Sequence, residues 1–240
     1  MVLQARDQIR TGQESTVTLS MPGVFSVRME PDSQFLVKSL TENIFRFLLS
    51  EGVIDTDVVA SEDRSVEVQA FEATASTQGA RFRMHADRSG VVAVGTQAGQ
   101  VNLEAEGKVV QVAAGFMAKV EKGQAPEDPI KIPRKLLLRV NWPKKRDLAS
   151  GRIIVRGRSQ PGARVRVAGV VVQVDPKGRF RRVLSLPEGR HRIQVEAEDV
   201  GNNRQTSRSP ALQVDTRADS FQINTSPDMW QRQKQKTGSK

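Results

Sequence analysis

The chain has 240 residues, of which 38% are hydrophobic, and carries a formal net charge of +10 at neutral pH. It contains no cysteine, which excludes disulfides, thiolate metal sites and a cysteine nucleophile. Aromatic residues make up 5% and include no tyrosine, which disfavours binding through stacked rings, and no run approaches the roughly 20 apolar residues of a membrane-spanning helix.

Short alternating strands are predicted through the first half of the chain. Residues 17–21 and 25–29 alternate apolar and polar side chains on either side of a proline–glycine turn. Residues 41–50 form an apolar run that fits either a short helix or a buried strand. Between residues 53 and 120, valine-rich segments recur about every 8–10 residues between glycine-containing turns, which is typical of a sandwich, a barrel or a stacked β-roll.

The domain organisation is predicted from proline content and polarity. Residues 1–122 form a first β domain, and the proline-rich segment 123–135 is interpreted as a linker because proline fixes φ and cannot donate to a β-ladder. Residues 136–216 form a second strand-rich domain. Residues 217–240 are polar and basic, and are predicted to be a disordered tail.

Charge divides the chain in the same place. Residues 1–130 hold 12 basic and 18 acidic residues, a net charge of −6, whereas residues 131–216 hold 20 and 7, a net charge of +13. The strongly basic second half raises the hypothesis of a polyanionic partner.

Two segments of the first predicted domain, LQARDQIRTG at 3–12 and QGARFRM at 78–84, carry a family resemblance. By these segments, residues of about 3–120 resemble the FecR domain family, and residues 3–12 are similar to the opening segment of that family. Residues 78–84, QGARFRM, resemble its central V-R-G-T-x-F-x-V signature, with Gly79 and Phe82 matching and Gln78 and Ala80 departing from it. The resemblance implies an all-β domain of the β-roll or sandwich type that senses or relays signals in the bacterial envelope.

Five segments follow one another in a familiar order in the second half of the chain: VRG at 155–157, PGARVRV at 161–167, VDPKGRF at 174–180, LPEG at 186–189 and VEAEDVGN at 195–202. By this order, residues of about 136–214 resemble a small bacterial immunoglobulin-like module of the glucodextranase-B type. The resemblance implies an Ig-like β-sandwich of the kind attached to surface and carbohydrate-active proteins. Asp199 and Asn202 are expected to form a tight final hairpin.

No catalytic, cofactor or metal site is predicted. The two histidines, His85 and His191, fall in different predicted domains, and neither has a nucleophile and an acid at a recognisable spacing. Calcium requires six or more oxygen ligands, which no dense Asp/Asn loop offers, and there is no phosphate-binding glycine loop. We therefore expect a protein that is not an enzyme and uses no cofactor.

Arginines alternate with valines in the second domain and give the one binding hypothesis. Side chains two residues apart in a strand lie on the same face, so Arg164 and Arg166 are expected to project together. A solvated outer face and a docking patch for an anionic envelope polymer both fit this pattern. The candidate polyanion-binding residues are Arg156, Arg164, Arg166, Arg179, Arg181, Arg190 and Arg192.

The predicted function is that of a non-catalytic interaction, scaffold or signal-sensing protein of the bacterial cell envelope. The alternatives are a periplasmic regulator of sigma-factor signalling and an accessory part of a carbohydrate-active enzyme. The expected partner is an envelope polysaccharide, peptidoglycan or another envelope protein, and nucleic acid is disfavoured because no binding motif is present. A periplasmic or surface location requires a signal sequence that the polar start of this chain does not supply, and the alternative location is cytoplasmic.

Overall fold

The computed structural model describes residues 2, 4–144 and 151–215, and none of these residues is helical. The predicted all-β class is confirmed. The predicted tail, residues 217–240, lies outside the described residues.

Twelve strands build the first β domain. Each is short except β5 and β9, which have 15 and 14 residues. The strands are β1 Gln8–Arg10, β2 Val17–Met21, β3 Phe25–Met29, β4 Gln34–Leu40, β5 Ile44–Val58, β6 Ser65–Ala70, β7 Ala73–Thr77, β8 Ala80–Ala86, β9 Val92–Ala105, β10 Lys108–Ala113, β11 Phe116–Val120 and β12 Ile130–Lys131.

The two long strands belong to two sheets at once. The N-terminal half of β5 pairs with β4 and β6, and its C-terminal half pairs with β3 and β8. In the same way β9 pairs with β8 and β11 near its start and with β7 and β10 near its end. We call the sheet with β1, β4, β6, β7 and β10 sheet A, and the sheet with β2, β3, β8, β11 and β12 sheet B.

The core of the first domain lies between sheets A and B. Alternate residues of most strands enter it, including Phe35 and Phe47 from sheet A and Val27 and Phe82 from sheet B, all at most 2% exposed. Residues 41–50 are therefore mostly strand, because Phe45, Phe47 and Leu49 point into this core while their neighbours point away from it. The predicted turn between β2 and β3 is also present, with Gly23 at a φ of 75° and the Val24 N–H donating to the Met21 carbonyl.

Nine strands build the second β domain: β13 Leu138–Asn141, β14 Arg152–Ser159, β15 Arg164–Val167, β16 Val170–Val172, β17 Arg179–Ser185, β18 Gly189–His191, β19 Gln194–Glu198, β20 Arg204–Arg208 and β21 Leu212–Val214. They form a three-stranded sheet in the order β13-β14-β17, a four-stranded sheet in the order β16-β15-β19-β20, and the pair β18-β21. Residues of all three share one core, for example Val155, Val165 and Leu212.

The segment between the domains is attached to the first one. Ile130 and Lys131 of the predicted linker form β12 and pair with β11, and the Ile132 N–H donates to the Gly115 carbonyl. This attachment places the second domain beside sheet B, where Val200 packs with Ala93 and Met117 in a small separate apolar cluster.

Candidate functional site

Part of the outer face of sheet B, which points away from the first core, is covered by the second domain, while Arg28, Asp57 and Arg81 on the same face stay exposed. One row of residues crosses five strands of this face in register: Arg28, Asp55, Arg83, Gly95 and Met117. A Cβ on Gly95 would lie 2.7 Å from the carbonyl oxygen of Val200, so only glycine allows this approach of the second domain. We call the contact between the two domains the junction.

Arg83 is the central charge of the junction. Its side chain is 2% exposed, and its Nη1 atom lies 2.8 Å from Oε1 of Glu198 in the second domain. Its Nη2 atom lies 3.4 Å from Asp55 Oδ2 and 3.9 Å from Glu30 Oε1, both in the first domain. One guanidinium therefore connects carboxylates of both domains out of contact with solvent.

The pKa values of the two carboxyl groups nearest to Arg83 are shifted in opposite directions. The pKa of Asp55 is raised because burial disfavours its charged form more than Arg83 favours it. Burial acts in the same direction on Glu198, but Arg83 and Arg204 together outweigh it and the pKa of Glu198 is lowered. Glu198 is thus favoured as an anion by its position between two arginines.

A second group of polar contacts lies beside Arg83. His85 is buried, and its Nδ1 atom is 2.9 Å from the Gly162 carbonyl oxygen. Since a carbonyl oxygen can only accept, Nδ1 carries the hydrogen. Burial lowers the pKa of His85, so the ring is neutral at the junction.

Arg164 belongs to this second group of contacts, and its prediction as part of an exposed polyanion-binding patch is wrong. This residue is 4% exposed, its Nη2 atom donates to the Pro31 carbonyl at 2.5 Å, and it lies 3.6 Å from Asp32 Oδ2. Burial and neighbouring Arg166 lower its pKa to about 10. Arg164 is therefore a junction residue that an external polymer cannot reach, because the outer face of the four-stranded sheet docks on the first domain.

Arg166 joins Arg164 at the junction. It projects from the same sheet face, as the alternation predicts, and lies 3.4 Å from Asp32 Oδ2 with a side chain 19% exposed. The two arginines that suggested the patch therefore hold the domains together.

The outer face of the opposite sheet of the second domain is largely uncovered by the residues that the structure describes. Arg156 and Arg181 are cross-strand partners on the outer face of the three-stranded sheet, and Arg179 lies on the same face. Arg139 and Arg158 complete this group, since Arg158 pairs with Arg139 on one side and with Arg179 on the other. We call these five residues the arginine face.

The arginine face lines a groove of about 860 Å³, bordered by Gln173 and Pro176 of the second domain and by Ser89 of the first. Arg190 and Arg192 are exposed but do not line it: Arg190 lies on β18 in the two-stranded sheet, and Arg192 follows that strand. The structure therefore gathers three of the seven predicted arginines and places two at the junction and two elsewhere.

Two members of the arginine face and the central junction residue were missed by sequence reasoning. Arg158 stands two residues after Arg156 and could have been found by the same alternation. Arg139 comes from a strand whose pairing the sequence does not reveal. Arg83 carries no local signal, because its burial depends on the other domain.

Other kinds of site are not found in the part of the chain that the structure describes. Histidine, aspartate and glutamate do not group in threes that could hold a metal ion there. His191 is remote in sequence from His85, and its Nε2 atom is 2.8 Å from the Pro187 carbonyl oxygen. The described segments also include no helix long and apolar enough to cross a bilayer.

Residues 7–102 match the family model described as FecR protein. This range runs from β1 into β9 and so covers most of the first β domain. The resemblance of the first domain to that family is therefore confirmed over these residues. No curated protein matches the chain.

Two solved structures are similar to part of the chain. Both are crystal structures, at 1.65 and 2.50 Å, of a proposed anti-sigma factor from Parabacteroides distasonis, with 17% and 16% sequence identity and a TM-score of 0.46 in each case. The similarity covers 52% of this chain, and the chain spans 59% of the length of each of those proteins.

Proposed function

We propose that this chain is a non-catalytic regulator of sigma-factor signalling that acts in the bacterial cell envelope. The observation that carries the proposal is the match of residues 7–102 to the FecR family model. Proteins that resemble this family sense or relay signals across the envelope. The periplasm or the cell surface is the location that this role requires.

In this proposal the second β domain is an Ig-like module that holds and presents the first. Two main sheets that face one core support this assignment. Asp199 supports the expected final hairpin, since its Oδ1 atom accepts hydrogen bonds from the Gly201 and Asn203 N–H groups. That hairpin carries Val200 onto Gly95 and so sets the position of the module.

The junction gives the proposal a physical basis for relay. Sheet B of the first domain has one face in its core and part of the other against the second domain, so a change on either side alters the same strands. Arg83 and Glu198 couple the two sides through a buried charge pair, whose separation would leave an uncompensated charge. A ligand or partner that favours one domain arrangement would thereby shift the other domain.

Gene deletion followed by RNA sequencing tests the proposal. We expect a discrete set of operons with a shared promoter sequence to change several-fold in the source organism. The full chain should restore their levels, and a version without residues 7–102 should not. Unchanged transcripts in growth and under envelope stress, or full restoration by the truncated version, would contradict the proposal.

A further inference from the structure

We propose that the arginine face is a docking surface for an anionic polysaccharide. The surface lies on the second domain, outside the residues that match the FecR family model, and does not depend on the signalling role. It also differs from the patch predicted from sequence, since Arg164 and Arg166 are excluded and Arg139 and Arg158 are included.

The strand register places the five arginines in two adjacent rows on one sheet face. Arg139, Arg158 and Arg179 form one row across β13, β14 and β17. Arg156 and Arg181 form the next row, with Asn141 as the third member. Neighbouring strands are about 4.8 Å apart and alternate residues about 6.8 Å apart, so the backbone positions of the arginines recur at short, regular intervals.

Most of this positive charge has no partner among the described residues. Arg179 pairs with Asp175 at 2.6 Å, and Arg158 donates to the Lys177 carbonyl, which leaves its charge in place. Arg139, Arg156 and Arg181 form no ion pair with the described residues. Like charges on facing positions of a sheet repel one another and destabilise the fold. An anion that bridges the two rows would reduce this repulsion.

The chemistry of the groove favours a charged sugar polymer. The planar guanidinium fork binds carboxylate or phosphate oxygens in pairs. Asn141, Gln173 and Ser89 along the groove offer neutral donors and acceptors for hydroxyl groups. The one aromatic lining residue, Phe180, is 4% exposed and offers no ring for a base to stack on, which disfavours single-stranded nucleic acid.

The arginine face also has a suitable position. The opposite, four-stranded sheet is occupied by the junction, so the arginine face points away from most of the first domain. A polymer bound there would leave the contacts of Arg83 and Arg164 intact. Binding is therefore expected without separation of the domains.

Binding of the full-length protein to alginate, a carboxylate-bearing polysaccharide, tests the proposal by titration calorimetry at about 50 mM salt. Arg156→Ala with Arg181→Ala should raise Kd about tenfold. It should also make the salt dependence of log K less steep by about two. Arg190→Ala with Arg192→Ala is the matched control, because it removes the same charge from exposed positions of the same domain and should change Kd less than about twofold.

Three results would overturn the proposal. The first is equal weakening by both double variants, which would indicate attraction by net charge alone. The second is tighter binding of a thymidine oligonucleotide than of alginate at the same salt, which would indicate nucleic acid. The third is alginate binding no stronger than that of neutral dextran. Arg139→Gln with Arg158→Gln provides a second pair on the same face, should the first pair fail to fold.

Discussion

At the scale of single residues, Arg83 is a charged residue that stabilises the contact between the two domains. Its guanidinium is shared by Glu30, Asp55 and Glu198, which come from both domains. Removing one partner of such a buried cluster typically costs about 3–5 kcal/mol, because the remaining charges stay buried without compensation. Arg81, two residues earlier, pairs with Asp57 in an exposed position, where an ion pair contributes less than about 1 kcal/mol.

His85 makes the stability of the fold depend on pH. Burial lowers its pKa in the folded state. Above the unfolded pKa of about 6.5 both states are neutral and the residue has no effect. Below it the unfolded chain binds a proton at His85 more readily than the folded chain does, so the free energy of unfolding falls as the pH falls.

His85→Asn tests this dependence, because its amide can donate to the Gly162 carbonyl from nearly the same position without titrating. Between pH 7.5 and 5.5 the native protein should lose up to about 1.4 kcal/mol more than the variant. Urea unfolding of both proteins at the two pH values measures the difference. Parallel losses would contradict a neutral, buried His85.

At the scale of elements, the contact between β9 and the turn after β19 depends on one glycine. Gly95 has no positive φ, so alanine there creates no backbone strain, only a clash with Val200 at 2.7–2.8 Å. Gly95→Ala should lower the free energy of unfolding by about 1–3 kcal/mol. It should also speed hydrogen exchange at residues 199–203.

Gly12→Ala is the control for this prediction. Gly12 also lacks a positive φ, and the nearest atom to its added Cβ is 3.8 Å away. A change below about 0.5 kcal/mol is expected there. If both alanines have the same effect, the Gly95 contact does not hold the domains.

The strands themselves could be predicted, but their pairing could not. Alternation located β2 and β3, and the run at residues 41–50 was left open because apolar runs of that length occur in both helices and strands. The parallel pairing of β5 with β6 and the extension of β5 and β9 through both sheets follow from contacts distant in sequence. Local patterns contain no information about such contacts.

The same limit explains the outcome for the candidate site. Alternation placed Arg164 and Arg166 on one face, yet an outer sheet face looks the same in sequence whether water or another domain covers it. The division of charge between the two halves pointed to an external polyanion. Part of the attraction between the acidic first half and the basic second half is satisfied inside the molecule, between Asp32 and the two arginines.

At the scale of the whole molecule, the junction should hold the domains together without the covalent connection. A specific protease site inserted between Arg134 and Lys135, both exposed, allows the chain to be cut there. The two fragments of the native protein should co-elute in gel filtration, because Arg83, Arg164 and the apolar contact of Val200 remain.

Arg83→Met in the cut protein should release the fragments, whereas Arg81→Met should not. Separation of the native fragments at once would contradict a stable junction. Co-elution of the Arg83→Met fragments would show that this arginine is not its main element.

The two long strands have a further consequence for the first domain. Since side chains alternate along a strand, a slip of one residue turns its apolar set outward. In β5 or β9 that error would occur in both sheets at once, because the same stretch of backbone runs through each. The shared strands therefore couple the registers of the two sheets. Once the strands of one sheet are correctly aligned, the alignment of the other sheet is fixed as well.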